Sequence, residues 1–427
     1  MSAQSSNRSL RPPWRRIPAI VRDAPPPLLL LLGPMLLLRV LTDDRSSPDS
    51  RLSGSLNLSG VIAGFFILLA IPLILGRRRG LLPATLAVLW LCIWTAVAVS
   101  TRGASSETLR EGVREASVVA LAAIVFNSRR SVTMPAATRL VQLLGAAPAL
   151  LALYQIATNT GANIAGELRA NGTFAHPNSA AMFFAIAALA SLWRYLDDGR
   201  RWLDAVLGLF FAAALIATFS IDGLITLAGM LIVFGLLRPG TLVSKLGLSL
   251  LGVLVVLAFF ATPLGSQRIA KESTSNLAAA ERGEANSSLD WRLHKWETLL
   301  PEWESSPFVG RGLGITTTVK RKIGDVYTGE PPHNEFLRYL VETGIVGLAT
   351  LIIALGLLAY QLFIRQQWNA KPRARPANMS LLGIVILFGC LVNSLADNTL
   401  LNSPTCYEAT LIIIAALALP RIDATRT

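Results

Sequence analysis

Apolar segments follow one another along most of this chain of 427 residues. An α-helix rises 1.5 Å per residue, so roughly 17 to 25 mostly apolar residues cross a hydrocarbon core about 30 Å thick. One polar stretch, residues 264–335, interrupts the series. The pattern predicts about twelve transmembrane helices, at residues 27–42, 59–76, 81–100, 112–127, 137–157, 178–196, 202–219, 221–237, 243–263, 336–364, 379–397 and 404–420.

Composition agrees with this pattern. Hydrophobic residues make up 52% of the chain and charged residues 15%, and the mean hydropathy is +0.52. A soluble protein needs more charge than this to cover its surface. The predicted fold class is therefore an all-α polytopic membrane protein of about twelve transmembrane helices, with a large loop between helices 9 and 10.

The positive residues give the orientation of these helices, because basic short loops stay cytoplasmic. With the N-terminus inside, 22 of the 39 Lys and Arg residues fall in inner segments, and the last outer loop, residues 396–405, has none. The net charge of +13 therefore reflects topology, and we expect no nucleic-acid partner. The three cysteines have no metal-ligand spacing, and there is no nucleotide-binding fingerprint, so neither a metal nor a cofactor is expected.

The polar stretch lies on the outer side and contains a predicted helix at residues 289–303. Leu293, Trp296, Leu300 and Trp303 recur at spacings of three and four. This amphipathic helix either lies at the membrane surface, with Arg292 and Lys295 turned toward phosphates, or packs against the helix bundle. A glycine-rich run, residues 310–314, either cradles an anion with its N–H groups or is a flexible turn.

The end of the same stretch carries the first candidate for chemistry. His333 follows two prolines and precedes the tenth helix, so a stiff approach should hold its ring at the outer membrane boundary. His333 is either a catalytic base or a helix-capping residue, with Asn334 as the competing cap. Arg338, one turn further, can share a face with Asn334 and Glu335, and a guanidinium inside an apolar segment is costly unless it is paired.

A second outer segment, residues 158–178, opens the sixth helix. His176 precedes Pro177, and Asn178 can cap the helix that follows. Arg169 has no such structural explanation. An Arg at this position could join Arg292, Arg311 or Arg338 in a fork for a diphosphate, because guanidinium binds phosphate oxygens bidentately. All three histidines, His176, His294 and His333, fall on the outer side, which a transporter would not require.

These motifs resemble those of the O-antigen ligase and Wzy-type polymerase superfamily, in its exopolysaccharide polymerase-like form. The matching elements are Gly172 to Asn178, Arg292 with Trp296, Phe308 to Gly314, and His333, Asn334, Phe336, Glu342, Gly344 and Gly347. One departure is clear. Family members often carry Ser-Arg at the outer end of the helix that follows the one opened by His176, Pro177 and Asn178. This chain has Ser220 and Asp222 there. Asp222 is then either a helix N-cap or the mark of a different acceptor.

The resemblance implies an inverting, metal-independent glycosyltransferase at the periplasmic face of the bacterial inner membrane, with a glycan on undecaprenyl diphosphate as donor. His333 would be the catalytic residue, and Arg169, Arg292, Arg311 and Arg338 would bind the diphosphate. His176, Asn178, Asn334 and Glu335 would position substrate. The expected partners are the lipid-linked glycan and the bilayer, with a chain-length regulator and a flippase as further candidates.

The resemblance also implies a division of the chain. Residues 1–26 form a disordered basic cytoplasmic tail, 27–263 the first nine helices, 264–335 a periplasmic catalytic loop, 336–420 the last three helices, and 421–427 a second cytoplasmic tail. The expected reaction is polymerisation of lipid-linked repeat units in exopolysaccharide or O-antigen biosynthesis. The alternative is ligation of finished glycan to a lipid or protein acceptor. A transporter is the competing class, but it would place its long loop on the cytoplasmic side.

Overall fold

The computed structural model describes residues 27–43, 58–77, 81–103, 105–128, 132–164, 167–198, 201–273, 288–319, 321–323, 326–328, 331–369 and 377–418. The two predicted tails, residues 1–26 and 421–427, lie outside the described residues. Most described residues are helical. The helices are α1 (Pro27–Leu41), α2 (Leu58–Arg77), α3 (Leu81–Arg102), α4 (Ser106–Asn127), α5 (Met134–Ala157), α6 (Pro177–Asp197), α7 (Trp202–Ala217), α8 (Ile221–Leu237), α9 (Leu242–Phe260), α10 (Pro263–Ser273), α11 (Ser288–Glu304), α12 (Ile315–Thr318), α13 (Glu335–Asn369), α14 (Ala377–Asn393) and α15 (Ser403–Leu417).

Each predicted apolar segment coincides with one of these helices, α1 to α9 and α13 to α15. Among the described residues, five helices are long and apolar enough to cross a membrane, and six shorter ones are apolar. The five are Leu58–Leu75, Met134–Ala157, Pro177–Asp197, Leu242–Phe260 and Glu335–Gln366. The chain is thus a largely helical, multi-pass membrane protein, as predicted, and the number of twelve crossings stays a prediction.

Helix α4 belongs to neither group. Its first half carries five charged residues, Glu107, Arg110, Glu111, Arg114 and Glu115. Glu111 and Glu115 are nonetheless buried in the protein. Charged side chains at such depth require partners, and the partners lie on the broken helix α13.

Helix α6 lies at the centre of the bundle and contacts α5, α7, α8, α14 and α15. Its side chains are buried on every face from Ala180 to Ala190, as expected for a helix that is apolar all round. Small residues let its neighbours approach closely. A Cβ atom at Gly223 of α8 would come within 2.5 Å of the Ala181 Cβ atom. This contact brings the N-terminal ends of α6 and α8 together.

Helix α13 breaks at Gly344, whose backbone has φ 66° and ψ −173°. The chain from Pro307 packs into the break, and Ile345 N donates to Pro307 O at 2.9 Å. A Cβ atom at Gly344 would lie 2.2 Å from Phe308 O. Glycine is therefore required here twice, by its positive φ and by the approach of the loop backbone.

Two small hairpins, which the apolar pattern did not predict, stand on the loops. Strand β1 (Ala162–Ile164) pairs antiparallel with β2 (Glu167–Arg169), and Ala162 lies opposite Arg169. Strand β3 (Arg321–Ile323) pairs antiparallel with β4 (Val326–Thr328). Strands of three residues are too short to show an alternation of polar and apolar positions.

The predicted helix of the long loop is present as α11. Leu299 is fully buried with Ile315 and Val341. Trp296 Nε1 donates to Pro332 O at 2.7 Å, and Lys295 Nζ donates to Val319 O at 2.7 Å. Of the two interpretations of this helix, packing against the bundle is the one that the structure shows.

Candidate active site

His333 sits at the end of the long loop in a backbone conformation with φ 50°. Residues other than glycine rarely adopt this left-handed backbone conformation, and such strain often occurs at functional sites. Asn334 is the helix cap, because its Oδ1 accepts from Leu337 N at 2.9 Å. His333 is therefore not needed as a cap. Its ring stands edge-on to Trp291 at 5.3 Å between centroids.

Asp397 is the partner of this histidine, and the sequence analysis missed it. The His333 Nδ1 atom lies 2.6 Å from Asp397 Oδ1. Burial alone would raise the pKa of Asp397, but the hydrogen bond and charge of His333, together with the charge of His176, lower that pKa to about 2. The carboxylate is thus ionised at neutral pH and holds a proton on Nδ1. The Nε2 atom of His333 is left to accept a proton.

His176 faces His333, with 5.8 Å between the ring centroids. As the N-cap of α6, its Nδ1 accepts from Asn178 N at 3.2 Å. Burial, and then the charges of His333, Arg169 and Arg292, lower the pKa of His176 to about 4, although Asp397 opposes them. The ring is therefore neutral at pH 7 and carries its proton on Nε2. His176 therefore offers an N–H donor, its Nε2, next to the Nε2 acceptor of His333.

Arg169 is held by the outer ends of two helices. Its Nε donates to Thr218 O at 2.9 Å, and its Nη2 donates to Asn178 Oδ1 at 2.7 Å. Asn178 Oδ1 also accepts from Ser220 Oγ at 3.1 Å. Burial, and next the positive charge of Arg268, lower the pKa of Arg169 to about 10. Arg169 is therefore still cationic at neutral pH, and the predicted residues Arg169 and Asn178 belong to one rigid cluster.

Arg292 reaches the same cluster from α11. Its Nη2 atom lies 2.6 Å from Asp222 Oδ2, and its buried Nε has no hydrogen-bond partner among the described residues. Asp222 is not a helix N-cap, because Ser220 caps α8 by accepting from Gly223 N. Asp222, the residue that departs from the resembled motif, thus pairs with an arginine from another element.

Arg268 is a further cation that the sequence analysis did not single out. It forms an ion pair with Glu167 of β2, and its charge acts on Arg169. Arg169 and Arg292 therefore lie near His176, and Arg268 lies next to them through Glu167 and Arg169. The spacing of α10 gave no signal for this, since Arg268 follows an apolar helix as an ordinary outer-loop cation would.

The glycine-rich run does not leave its N–H groups open to an anion. Arg311 N donates to Val341 O at 2.9 Å, and Gly312 N donates to Glu342 O at 2.8 Å. These bonds supply partners for backbone carbonyls at the break in α13. The Arg311 side chain pairs with Glu302 at 3.3 Å. The run is a docking loop, and the structure does not bring Arg311 into contact with the histidine cluster.

Arg338 lies in a buried charge cluster. Its guanidinium is fully buried and pairs with Glu111, Glu115, Glu335 and Glu342. The predicted site residues Arg338 and Glu335 thus bind each other and the charged face of α4. The four carboxylates neutralise a guanidinium that lies inside an apolar segment, and diphosphate binding by Arg338 stays a prediction.

Among the described residues, no group of three or more His, Cys, Asp or Glu side chains is arranged to hold a metal ion. Residues 205–352 match the family model described as O-antigen ligase. No curated protein sequence matches the chain at a significant level. The match begins in α7 and ends in α13, so it includes Asp222, α11, the glycine-rich loop and His333. The match to residues 205–352 thus supports the resemblance to the O-antigen ligase and Wzy-type superfamily that the motifs indicate.

Proposed function

We propose that this protein is an inverting membrane glycosyltransferase that uses a glycan on undecaprenyl diphosphate as donor and polymerises lipid-linked repeat units. The observation that carries this proposal is the pair of His333 and Asp397 beside a neutral His176, with Arg169 and Arg292 close to that second histidine. A base, a neutral donor and a cationic group are the parts that glycosyl transfer from a diphosphate needs. The family match supports the reaction class.

In the proposed step, Nε2 of His333 takes the proton of an acceptor hydroxyl. The hydroxyl oxygen forms a bond to the anomeric carbon of the donor from the side opposite the leaving group. The bond from that carbon to the diphosphate oxygen breaks, and the electron pair leaves with the lipid diphosphate. Configuration at the anomeric carbon is inverted. Asp397 keeps the imidazole in the required tautomer and stabilises the imidazolium that forms.

Arg169, Arg292 and Arg268 are proposed to neutralise the diphosphate. Arg169 is fixed by Thr218 and Asn178, so its position needs no reorganisation when charge develops. Arg292 pairs with Asp222, and a diphosphate oxygen would replace that carboxylate at the guanidinium. Cationic side chains then do the electrostatic work of a metal ion. His176 would donate its Nε2 proton to a substrate oxygen, with Asn178 and Asn334 fixing the loops around it.

The proposed location is the periplasmic face of the bacterial inner membrane, with both termini cytoplasmic. The lipid donor is delivered to that face by a flippase, and a chain-length regulator is a further proposed partner. Ligation of finished glycan to a lipid or protein acceptor is the second candidate, because the matching family model is described as O-antigen ligase and both reactions use the same donor chemistry.

The test of the chemistry is His333→Ala, expressed at the wild-type level and folded as judged by its melting temperature. We expect glycan transfer to fall by a factor of about 10² to 10⁴, the contribution of a positioned general base. Full polymer in the variant strain would remove His333 from this role.

Arg169→Lys and Arg292→Lys should each raise the KM for donor about tenfold, because Lys cannot bind phosphate bidentately. If both substitutions leave the KM for donor unchanged, these two arginines do not bind the diphosphate.

The test of the reaction is the size distribution of lipid-linked glycans in a strain that lacks this protein. Accumulation of single repeat units identifies a polymerase, and accumulation of long lipid-linked polymer identifies a ligase. An unchanged pool contradicts both and favours a transporter.

A further inference from the structure

A cavity of about 340 Å³ opens beside the loops that carry His333 and Asp397. Its walls include Glu107, Arg110, Glu111 and Arg114 of α4. Thr317 and Pro331 of the long loop and Leu401 of the loop that follows α14 complete the lining. This volume is at the lower end of the range of small-molecule sites, roughly 300 to 1,000 Å³.

The charged lining is balanced and is held in place. Arg110 pairs with Glu107 at 3.1 Å, and Arg114 Nη1 donates to Glu111 Oε1 at 2.8 Å. Paired charges of this kind present donors and acceptors side by side without net charge. Neighbouring hydroxyl groups of a sugar ring, each both donor and acceptor, match such a surface, whereas a phosphate would require an excess of cations.

Two further observations show polar groups that the fold does not use. The buried Nε atom of Arg114 has no hydrogen-bond partner among the described residues. The same holds for the side-chain amides of Asn398 and Asn402, which lie in the loop of Asp397 and Leu401. Buried polar groups are costly unless they are hydrogen-bonded. Of these residues Arg114 lines the cavity, so its Nε atom points to a polar ligand there.

The wall of the cavity is also rigid. Arg338 of α13 pairs with Glu111 and Glu115 from below. Thr108 Oγ1 of α4 donates to Leu313 O at 3.3 Å. Helix α4 is thus fixed both to α13 and to the long loop, and His333 lies where that loop meets α13. A substrate held in the cavity would be positioned relative to the base by shared elements.

We propose that this cavity is the subsite for the acceptor saccharide, and that Arg110 and Glu107 bind the hydroxyl groups of its terminal sugar. The inference rests on the proposed glycosyl transfer. The arginines around His176 take the donor diphosphate, and the cavity takes the glycan whose hydroxyl is deprotonated by His333. The acceptor glycan has two possible sources, a lipid-diphosphate-linked repeat unit or a glycolipid without diphosphate.

The experiment uses the full chain in lipid nanodiscs, with lipid-linked glycan extracted from the deletion strain as saturating donor. One arm offers a fluorescent repeat unit on a short-chain lipid diphosphate as acceptor, and the other offers a fluorescent glycolipid without diphosphate from the same strain. Initial rates give the acceptor KM of wild type, Arg110→Ala and Glu107→Gln, and a second series at fixed acceptor and varied donor gives the donor KM. Arg110 is half exposed, so its truncation spares the core. Leu109→Ala, at an exposed neighbouring position, is the matched control.

We expect both variants to raise the acceptor KM about tenfold or more, the effect of losing a hydrogen bond to a charged group, with donor KM and the Leu109→Ala rates within about twofold of wild type. The arm in which KM rises identifies the acceptor source. Unchanged acceptor KM in both arms, or a rise in donor KM alone, would overturn the subsite while leaving the proposed function intact. A wild-type protein that transfers glycan in neither arm would refute the proposed function itself.

Discussion

His176 and His333 form a pair whose Nδ1 atoms have opposite hydrogen-bonding roles. The Nδ1 atom of His333 faces a carboxylate, and that of His176 accepts from a backbone N–H. The two Nε2 atoms are consequently an acceptor and a donor. Two chemically identical side chains thus receive different functions from the groups behind them.

Asp397→Asn tests this arrangement at the level of one atom. The amide can donate to Nδ1 of His333 and so move the ring proton to Nε2, where it blocks proton acceptance. We expect kcat to fall about 10²-fold or more with little change in the melting temperature. Leu395→Ala, in the same loop and exposed, should retain wild-type rates. A variant with more than half of the wild-type kcat would show that the carboxylate does not control the tautomer.

His176 should make stability depend on pH. Its pKa is lowered to about 4 in the folded chain, so between pH 6.5 and 4 the unfolded chain binds a proton that the folded chain does not. The free energy of unfolding therefore decreases as pH falls through this window. His176→Asn keeps a capping side chain and removes the titrating ring. We expect its melting temperature in detergent to drop less between pH 7 and 5 than that of wild type. Equal drops would contradict the assignment.

At the residue scale, the sequence predicted nine site residues, and the structure places five of them close together, namely His333, His176, Arg169, Asn178 and Arg292. It could not predict Asp397, because 64 residues separate it from His333 and no local pattern joins them. The one available signal was an acidic side chain in an outer loop free of Lys and Arg. For the same reason the sequence did not show the partners of Arg338, since the carboxylates of Glu111 and Glu115 come from a distant helix.

At the scale of elements, the helices were predictable because burial in lipid demands long apolar segments and leaves few alternatives. The break in α13 was not, although Gly344 stood in a recognised motif. Its reason is a contact with Phe308, which is distant from it along the chain. The same holds for the glycine-rich run, whose N–H groups serve that contact.

Gly344→Ala should disrupt this contact. An alanine there combines a positive φ, which costs about 1 kcal/mol or more, with a Cβ atom 2.2 Å from Phe308 O. We expect a lower melting temperature and loss of activity. Gly356→Ala is the control on the same helix, because no atom lies within 4 Å of its added Cβ. It should be neutral or slightly stabilising. Equal behaviour of the two variants would mean that the break is not required.

At the scale of the whole molecule, helix α6 joins two polar clusters. His176 and Asn178 stand at its first turn, and Arg194 near its last turn pairs with Asp204 at 3.2 Å. Twenty-one residues span about 31 Å at 1.5 Å per residue, the thickness of a hydrocarbon core. The two clusters therefore fit the two surfaces of the membrane, in keeping with the predicted topology.

Labelling of single cysteines tests that topology in a variant whose native cysteines, Cys92, Cys390 and Cys406, are replaced. Ser305→Cys in the long loop and Thr241→Cys between α8 and α9 are both at exposed positions. In spheroplasts, a membrane-impermeant maleimide should label Ser305→Cys at once. Thr241→Cys should react only after the membrane is opened. The reverse pattern would place the site on the cytoplasmic side and contradict the proposed function.

The packing of the loop into the break of α13 also determines which segment of this chain could be exchanged with that of another protein. Backbone hydrogen bonds join Pro307, Arg311 and Gly312 to residues 341–345. The loop and the first turns of the helix therefore form one structural unit. A chimera that replaces the loop alone would separate two segments that are hydrogen-bonded to each other. The smallest segment that recombination or an engineer could transplant intact runs from the start of α11 to just past Gly344.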